Sequence, residues 1–405
     1  MDDLVRYFDG SVAPTGVGRV QLEIIPHLVR LLGDRVGLVR IGQSADRLRL
    51  LSAGQFARLV DTSRSPVRKV KAEPALSLLR FGRWSRRRLA DNLGAIFARS
   101  DMDRFAAAAK PGDLLLSLGG SWSNPAFAAS VAGLKRRFGL RFGLLIHDIL
   151  PLSHPDLVAP AQIPGFRSWF TDVAPLMDIA MSPSRATAVA AEAWASQEGL
   201  PLPPVSVIPF GDGFGEPPRM QPARRDCVAY VSTVEVRKNH MLLFRIWRRL
   251  LERHPREAVP DLVFAGKFGW MVDGLRKELA ATDNLGGKIV MARNLTDDEL
   301  SALYKRSLFT VFPSLAEGWG LPIAESLRHG RFCIASNATS IPEVGGDFVD
   351  YHDPHDEEAA FAMIERAIFD GDYLAARESR IATSFVPRAW ADTARAIVDL
   401  AGMRP

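Results

Sequence analysis

Short apolar runs recur along this chain with helix-like stretches between them, and that alternation constrains the fold more than any other feature. Apolar strands separated by amphipathic helices build a doubly wound parallel sheet, because each helix returns the chain to the same end of the sheet. The spacing predicts strands over 4–8, 36–41, 114–118, 143–146, 179–181 and 205–208. A stretch rich in Pro and Gly, from Pro209 through Pro222, then interrupts the pattern, and the interdomain linker is expected there. The alternation restarts with strands over 227–231, 262–265, 288–291, 308–312 and 332–335. Apolar Trp390, Ala394, Ile397 and Val398 fall at helical spacing near the end of the chain. At 405 residues the chain exceeds what one core usually fills, so two domains are expected.

Composition narrows the class. Hydrophobic residues at 47% and charged residues at 24% are ordinary globular values and exclude wholesale disorder. Two distant cysteines, Cys227 and Cys333, form no disulfide framework and read as small buried side chains. The start Met1-Asp2-Asp3 lacks the basic opening of a secretory signal, which makes a cytoplasmic location the expectation. No run reaches the ~18 apolar residues of a membrane-spanning helix, so any membrane contact is expected to be peripheral. The net charge of +5 permits an anionic partner. From Arg64 to Arg88 nine Lys or Arg residues face one acid, Glu73, interleaved with Leu76, Leu78, Leu79, Phe81 and Trp84. That segment, with Arg83, Trp84, Arg86, Arg87 and Arg88 at its end, suits an anionic membrane surface, against the alternative of a solvated basic loop. No base-reading module accompanies it, so nucleic acid is not the expected partner.

The strongest local signal is Glu317-Gly318-Trp319-Gly320-Leu321-Pro322-Ile323-Ala324-Glu325, directly after the strand ending at Phe312. It reads as strand, glycine turn and helix. The glycines let backbone amides approach a ligand, and the helix starting near Pro322 presents unpaired N–H groups to anionic oxygens, as a sugar diphosphate requires. Glu317 then faces the ligand from the loop and Glu325 from the helix. On spacing alone, two such glutamates are more often solvated surface acids.

A second signal runs from Val231 through Thr233 to Arg237-Lys238-Asn239-His240, a strand entering a short loop and a helix. Adjacent cations at a strand's carboxyl end can neutralise a departing diphosphate. Near the start, Thr15-Gly16-Val17-Gly18-Arg19 precedes a helix with apolar Val20, Ile24 and Leu28. It lacks the third glycine of a dinucleotide fingerprint and the lysine of a phosphate-binding Walker loop, so NAD and ATP readings fall. Ile146-His147-Asp148-Ile149-Leu150-Pro151-Leu152-Ser153-His154-Pro155 follows another buried strand. His147, Asp148 and His154 as metal ligands from one Pro-rich loop make a poor preformed cage. Asp101-Met102-Asp103 and the acids from Asp353 to Glu358 read as helix-start signals rather than metal sites.

Together these motifs resemble glycosyltransferase family 4, whose members are retaining enzymes of the GT-B fold, and the His147-Asp148-x-x-Pro stretch is similar to its O-antigen and exopolysaccharide mannosyltransferases. The resemblance implies two Rossmann-like doubly wound domains facing each other across a cleft. Residues 1–215 would form the acceptor-side domain and 216–386 the donor domain, with the helix of 387–405 packing back toward the first. By the same resemblance Glu317 contacts donor-sugar hydroxyls, Glu325 holds the ribose, and Arg237 and Lys238 neutralise the nucleoside diphosphate. His147 meets the donor sugar, Asp148 orients the acceptor hydroxyl, and backbone at Gly16, Gly18, Gly318, Trp319, Gly320 and Leu321 approaches the donor. Thr233, Lys267, Arg293, Asn294 and Leu295 complete the donor site, with the base read by 291–295 and the Lys267 loop. The implied reaction moves a hexose, mannose from a GDP-sugar first, to a lipid-linked glycan at the inner face of the cytoplasmic membrane, with no metal or other cofactor. A UDP-sugar donor, a nucleotide-sugar 2-epimerase and a non-catalytic GT-B scaffold are the alternatives.

Overall fold

In the computed structural model, which describes residues 16–42, 48–51, 101–213 and 225–403, the alternation is realised in two units. One is drawn from residues up to 144 together with 168–179, the other from 145–167 and 180–403. The expected strand over 4–8, the basic segment with Arg83, Trp84, Arg86, Arg87 and Arg88, and residues 214–222 lie outside the described residues.

The first unit opens with α1 (Gly16–Leu32), which buries Val20, Leu22, Ile24, Ile25, Leu28 and Leu32 along one face. Next come β1 (Leu38–Ile41) and β2 (Leu48–Leu51), paired antiparallel with Leu38 opposite Leu51. The expected strand over 36–41 therefore belongs to a two-stranded ribbon, not to a parallel sheet. Its partner escaped prediction because Leu48-Arg49-Leu50-Leu51 is too short to show a period. Asn124 ties the ribbon down, its amide donating to the carbonyls of Ile41 at 3.3 Å and Gly42 at 3.1 Å. Farther on, β3 (Leu114–Ser117) pairs parallel with β4 (Arg141–Leu145) across the crossover helix α2 (Phe127–Phe138). That helix carries Lys135, Arg136 and Arg137 in its last turn and stops at Gly139, whose φ of 66° takes the left-handed cap conformation.

In the second unit β5 (Ile179–Ser182) and β6 (Val205–Val207) pair parallel, Ala180 opposite Val205, around α3 (Arg185–Gln197). A six-stranded parallel sheet follows, built from β7 (Cys227–Val231), β8 (Asp261–Ala265), β9 (Ile289–Ala292), β10 (Ser307–Phe312), β11 (Cys333–Ser336) and β12 (Val349–His352). Its spatial order is β12-β11-β10-β7-β8-β9. Both faces are covered by helices, so the strands are apolar nearly throughout. Crossover α4 (His240–Arg253) buries Leu242, Leu243, Ile246, Trp247 and Leu250 on one face. Fully buried Phe244, Phe264, Phe309 and Phe332 share this core, each contributing about 1.5–3 kcal/mol. Other helices of this unit include α5 (Asp297–Arg306), α6 (Leu321–Arg328), α7 (Glu357–Phe369), α8 (Gly371–Ser384) and α9 (Trp390–Leu400). At α7 the cap is Asp356, accepting from the Ala359 N–H at 2.9 Å, whereas Asp353, where the sequence places the start signal, instead takes the His355 N–H. Asp101 and Asp103 lie in a helical stretch over 101–108, Asp101 facing Arg104 at 3.7 Å.

Part of the expected linker is packed. Asp212 accepts from the Arg388 N–H at 2.7 Å, Thr393 donates to the Pro209 carbonyl at 2.9 Å, and the Trp390 indole donates to the Gly213 carbonyl at 2.6 Å. Gly211 lies so close under Trp390 that a Cβ there would meet the indole at 2.7 Å. Burial raises the Asp212 carboxyl pKa, against the pull of Arg388 and Arg328.

The strand order sets the position of the site. From β7 the chain winds through β8 and β9 to one side, then returns to β10 on the other side of β7 and winds outward again. Neighbouring crossovers on opposite faces leave a crevice beyond the carboxyl ends of β7 and β10, where open α/β sheets bind ligands.

Candidate functional site

The loops leaving β7 and β10 meet at that crevice through an ion-paired cluster. After β7 the chain makes a short 3-10 turn over Val236–Lys238, and Asn239 takes φ 55° before α4 begins. Asn tolerates that left-handed conformation better than most residues. The turn holds Arg237 and Lys238 side by side, pointing at the β10 loop. Arg237 donates to Glu317 Oε2 at 2.7 Å, to the Ala316 carbonyl at 2.7 Å and to Glu235 Oε1 at 2.7 Å. Lys238 bonds the other oxygen, Glu317 Oε1. The Lys238 carbonyl accepts from Tyr230, and the Arg237 carbonyl from the Leu315 N–H, both at 2.8 Å.

Glycine governs the turn after β10. A Cβ on Gly318 would lie 2.2 Å from the His147 carbonyl oxygen, so no other residue lets these two backbones meet. The turn is held from three sides. Gly318 O accepts from Ser184 at 2.9 Å and Thr187 at 3.3 Å, Glu317 O from Thr339 and Ser340 at 2.9 Å, and Trp319 O from Ser340 at 2.9 Å. Gly320, at φ 141°, hands the chain to α6, which starts with Leu321 and Pro322. Glu325 sits on that helix and accepts from the Tyr304 hydroxyl at 2.6 Å. Glu317 and Glu325 are 8% and 6% exposed, which removes the solvated-acid reading of the pair.

Burial alone would raise the Glu317 carboxyl, but Arg237 and Lys238 outweigh it and hold its pKa at about 2. Burial likewise works against the Arg237 guanidinium, while Glu317, Glu235 and Asp148 hold its pKa above the ordinary arginine value. Burial raises the Glu235 carboxyl, opposed by Arg237 and Lys238. The result is a fixed, ionised carboxylate with two partly buried cations beside it, under a glycine turn and a helix N-terminus. Such a set can accept hydroxyl donors on the carboxylate and bind anionic oxygens on the cations and amides.

The same unit brings other predicted residues to this end of the sheet. His147 is buried, its ring 6.1 Å from that of Phe210, and Asp148 Oδ1 accepts from the Leu150 N–H at 3.0 Å. The Trp319 ring packs edge-on against Phe210 at 6.0 Å. Thr233, Lys267 and Arg293 to Leu295 follow the carboxyl ends of β7, β8 and β9. Val234 donates to the Lys267 carbonyl at 2.9 Å, and Arg293 lies over the Phe268 ring at 5.0 Å. Asn294 adopts φ 56°, and Leu295 packs against the buried cluster of Ala229, Val263 and Leu303. Gly16 and Gly18 form the first turn of α1, in the other unit, rather than a loop ahead of it. Sequence reasoning missed Glu235, Tyr230, Tyr304, Thr339 and Ser340. Only Glu235 left a signal, two positions before Arg237 in the same motif; Tyr230 sits within the apolar run of β7, and Tyr304, Thr339 and Ser340 reach the site from distant elements.

Residues 220–382 match the family described as glycosyl transferases group 1. The chain is 35% identical over 130 residues to the serotype-specific mannosyltransferase WbdA of Escherichia coli, covering 31% of this chain and 16% of that protein. It is 32% identical over 178 residues to the O-antigen chain mannosyltransferase B of Escherichia coli, covering 44% of each. The chain thus spans less than half the length of these relatives. Among solved structures, an alpha,alpha-trehalose-phosphate synthase (UDP-forming) from Burkholderia vietnamiensis superposes with a TM-score of 0.55 at 16% identity, over 74% of this chain and 77% of that one. This chain has the GT-B fold, it resembles the group 1 glycosyl transferases through residues 220–382, and it resembles the two Escherichia coli mannosyltransferases over 130 and 178 residues.

Proposed function

We propose that this protein is a retaining glycosyltransferase that moves a hexose, mannose from GDP-mannose first, to a lipid-linked glycan acceptor in bacterial surface-polysaccharide synthesis. The observation that carries the reading is the Glu317 carboxylate held by Arg237 and Lys238 where the β7 and β10 loops meet. Glu317 then takes the donor-sugar hydroxyls, and Glu325 the ribose. Arg237, Lys238 and the amides of the Gly318 to Gly320 turn stabilise the diphosphate as negative charge develops on it, which is where preorganised cations accelerate group transfer most. His147 faces the donor sugar and Asp148 orients the acceptor hydroxyl. No metal is needed in this scheme, because the cations and helix N-terminus do the neutralising.

Mannose as the sugar is supported by the two mannosyltransferase relatives, and GDP is the carrier proposed with it. The test is a thermal-shift panel of GDP, GDP-mannose, UDP and UDP-glucose, followed by transfer to a lipid-linked glycan extract. Selective stabilisation by the guanine nucleotides and radiolabel passing from GDP-mannose to the lipid fraction are expected. Stabilisation by uridine nucleotides alone would overturn the donor assignment, and absence of any nucleotide binding would overturn the activity.

A further inference from the structure

Tyr304, on α5, is not among the residues that the motifs single out, yet its hydroxyl donates to Glu325 Oε2 at 2.6 Å. Its ring is completely buried and stacks on His329, with centroids 4.9 Å apart and planes at 26°. His329 is itself held at both nitrogens. Nδ1 lies 2.7 Å from the Glu325 carbonyl, and Nε2 lies 3.0 Å from Ser301 Oγ, one turn from Tyr304 on the same helix. Burial lowers the His329 pKa to about 4, so the ring is neutral at pH 7 and carries a single N–H. A carbonyl only accepts, so that hydrogen sits on Nδ1, and the Ser301 hydroxyl donates to Nε2. The C-terminal half of α6 is thereby tied to α5 twice, through the Glu325 carboxylate and through the His329 ring just past the helix end.

We infer that Tyr304, seated on His329, is a positioning residue that fixes the rotamer of the Glu325 carboxylate for the hydroxyls of the nucleotide ribose. The inference rests on the ribose role proposed for Glu325. A glutamate has three side-chain torsions, and freezing them in advance removes an entropic cost from every binding event. The phenol donates to an accepting carboxylate oxygen, and acceptor oxygens are what a sugar diol recognises.

The experiment compares the affinity of GDP with that of 2′,3′-dideoxy-GDP, and the same pair of uridine nucleotides, by titration calorimetry in the parent, Tyr304→Phe, Glu325→Gln and the double variant. The parent is expected to prefer the ribonucleotide at least tenfold, equivalent to ~1.4 kcal/mol. Tyr304→Phe keeps the ring on His329, and its preference is expected to fall most of the way to parity. Adding it to Glu325→Gln is expected to change nothing further, since both act through one carboxylate. A parent that binds both sugars equally removes the ribose role of Glu325, and the inference with it. A parent that discriminates while Tyr304→Phe discriminates equally well overturns the inference alone. If Tyr304→Phe does not fold, Ser301→Ala reports through the same chain, and a ribose preference identical to the parent's counts against the inference.

Discussion

Glu317 answers to two cations, and that arrangement has consequences measurable one residue at a time. Its folded pKa of about 2 lies below the ordinary carboxylate value of 4.5. A depressed carboxylate adds stability that is fully present above the unfolded pKa and is lost as pH falls through the folded one. The stability difference between the parent and Glu317→Gln is therefore expected to be largest above pH ~4.5 and to shrink toward pH ~2, by on the order of 3 kcal/mol across that window. Denaturant melts at a series of pH values check it, and a difference independent of pH in that range would show that the pair does not hold the carboxylate down. Lys238→Ala leaves Glu317 paired to Arg237, so the stability cost is expected to stay below the ~3–5 kcal/mol typical of a broken buried pair. Turnover should drop far more, by roughly 10²–10³, because the ammonium counts most as the diphosphate departs. Wild-type kinetics in a folded Lys238→Ala protein would take the residue out of the site.

Whole elements carry the next layer. The turn between β10 and α6 closes only because Gly318 lets its backbone sit on that of His147, and Gly318→Ala places a Cβ 2.2 Å from the His147 oxygen. Overlap with backbone cannot be relieved by a rotamer change, so the expected outcome is a loss of about 1–3 kcal/mol with donor binding abolished. Calorimetric melts and donor titration read the two effects separately, and retained donor affinity would mean the turn does not shape the site. At the other end of α5, Thr296 and Glu299 form a capping box far from the Tyr304 contact. Thr296→Ala should cost about 1 kcal/mol and leave the ribose preference untouched, which separates helix stability from the positioning of Glu325. The strands of the six-stranded sheet were legible from β7 through β11 because runs such as Cys227-Val228-Ala229-Tyr230-Val231 are apolar on both faces. The last strand, β12, reads Val349-Asp350-Tyr351-His352, a mixed edge segment with no apolar run to find.

For the molecule as a whole, the proposed chemistry predicts full turnover in excess EDTA. Loss of activity restored by Mn or Mg would reinstate a metal and reopen Asp101 and Asp103 as ligands. Among the described residues no helix is long and apolar enough to cross a membrane, and the basic segment over 64–88, which we propose docks to anionic lipid, lies outside them. Each basic residue near an anionic surface contributes roughly 1 kcal/mol. Neutralising Arg83, Arg86, Arg87 and Arg88 together should weaken sedimentation with phosphatidylglycerol vesicles in a salt-dependent way and spare transfer to a soluble acceptor analogue. A quadruple variant that pellets as the parent does would leave the solvated loop as the reading of that segment.

By itself the sequence determined the class of fold, because an unbroken apolar run of five residues between helix-like stretches is a property of the local sequence and of nothing distant. It also determined which short motifs carry charge: Arg237 and Lys238 are neighbours in the chain, and the eight-residue interval from Glu317 to Glu325 spans a single turn and helix. Only the tertiary structure decided how those charges are spent. The strand order sets β10 beside β7, so Glu317 meets cations 79 and 80 positions away, and helix packing brings Tyr304 to Glu325 and Ser340 under the glycine turn. Those contacts depend on which strands lie side by side and which helix faces pack together, and no local pattern of residues encodes either.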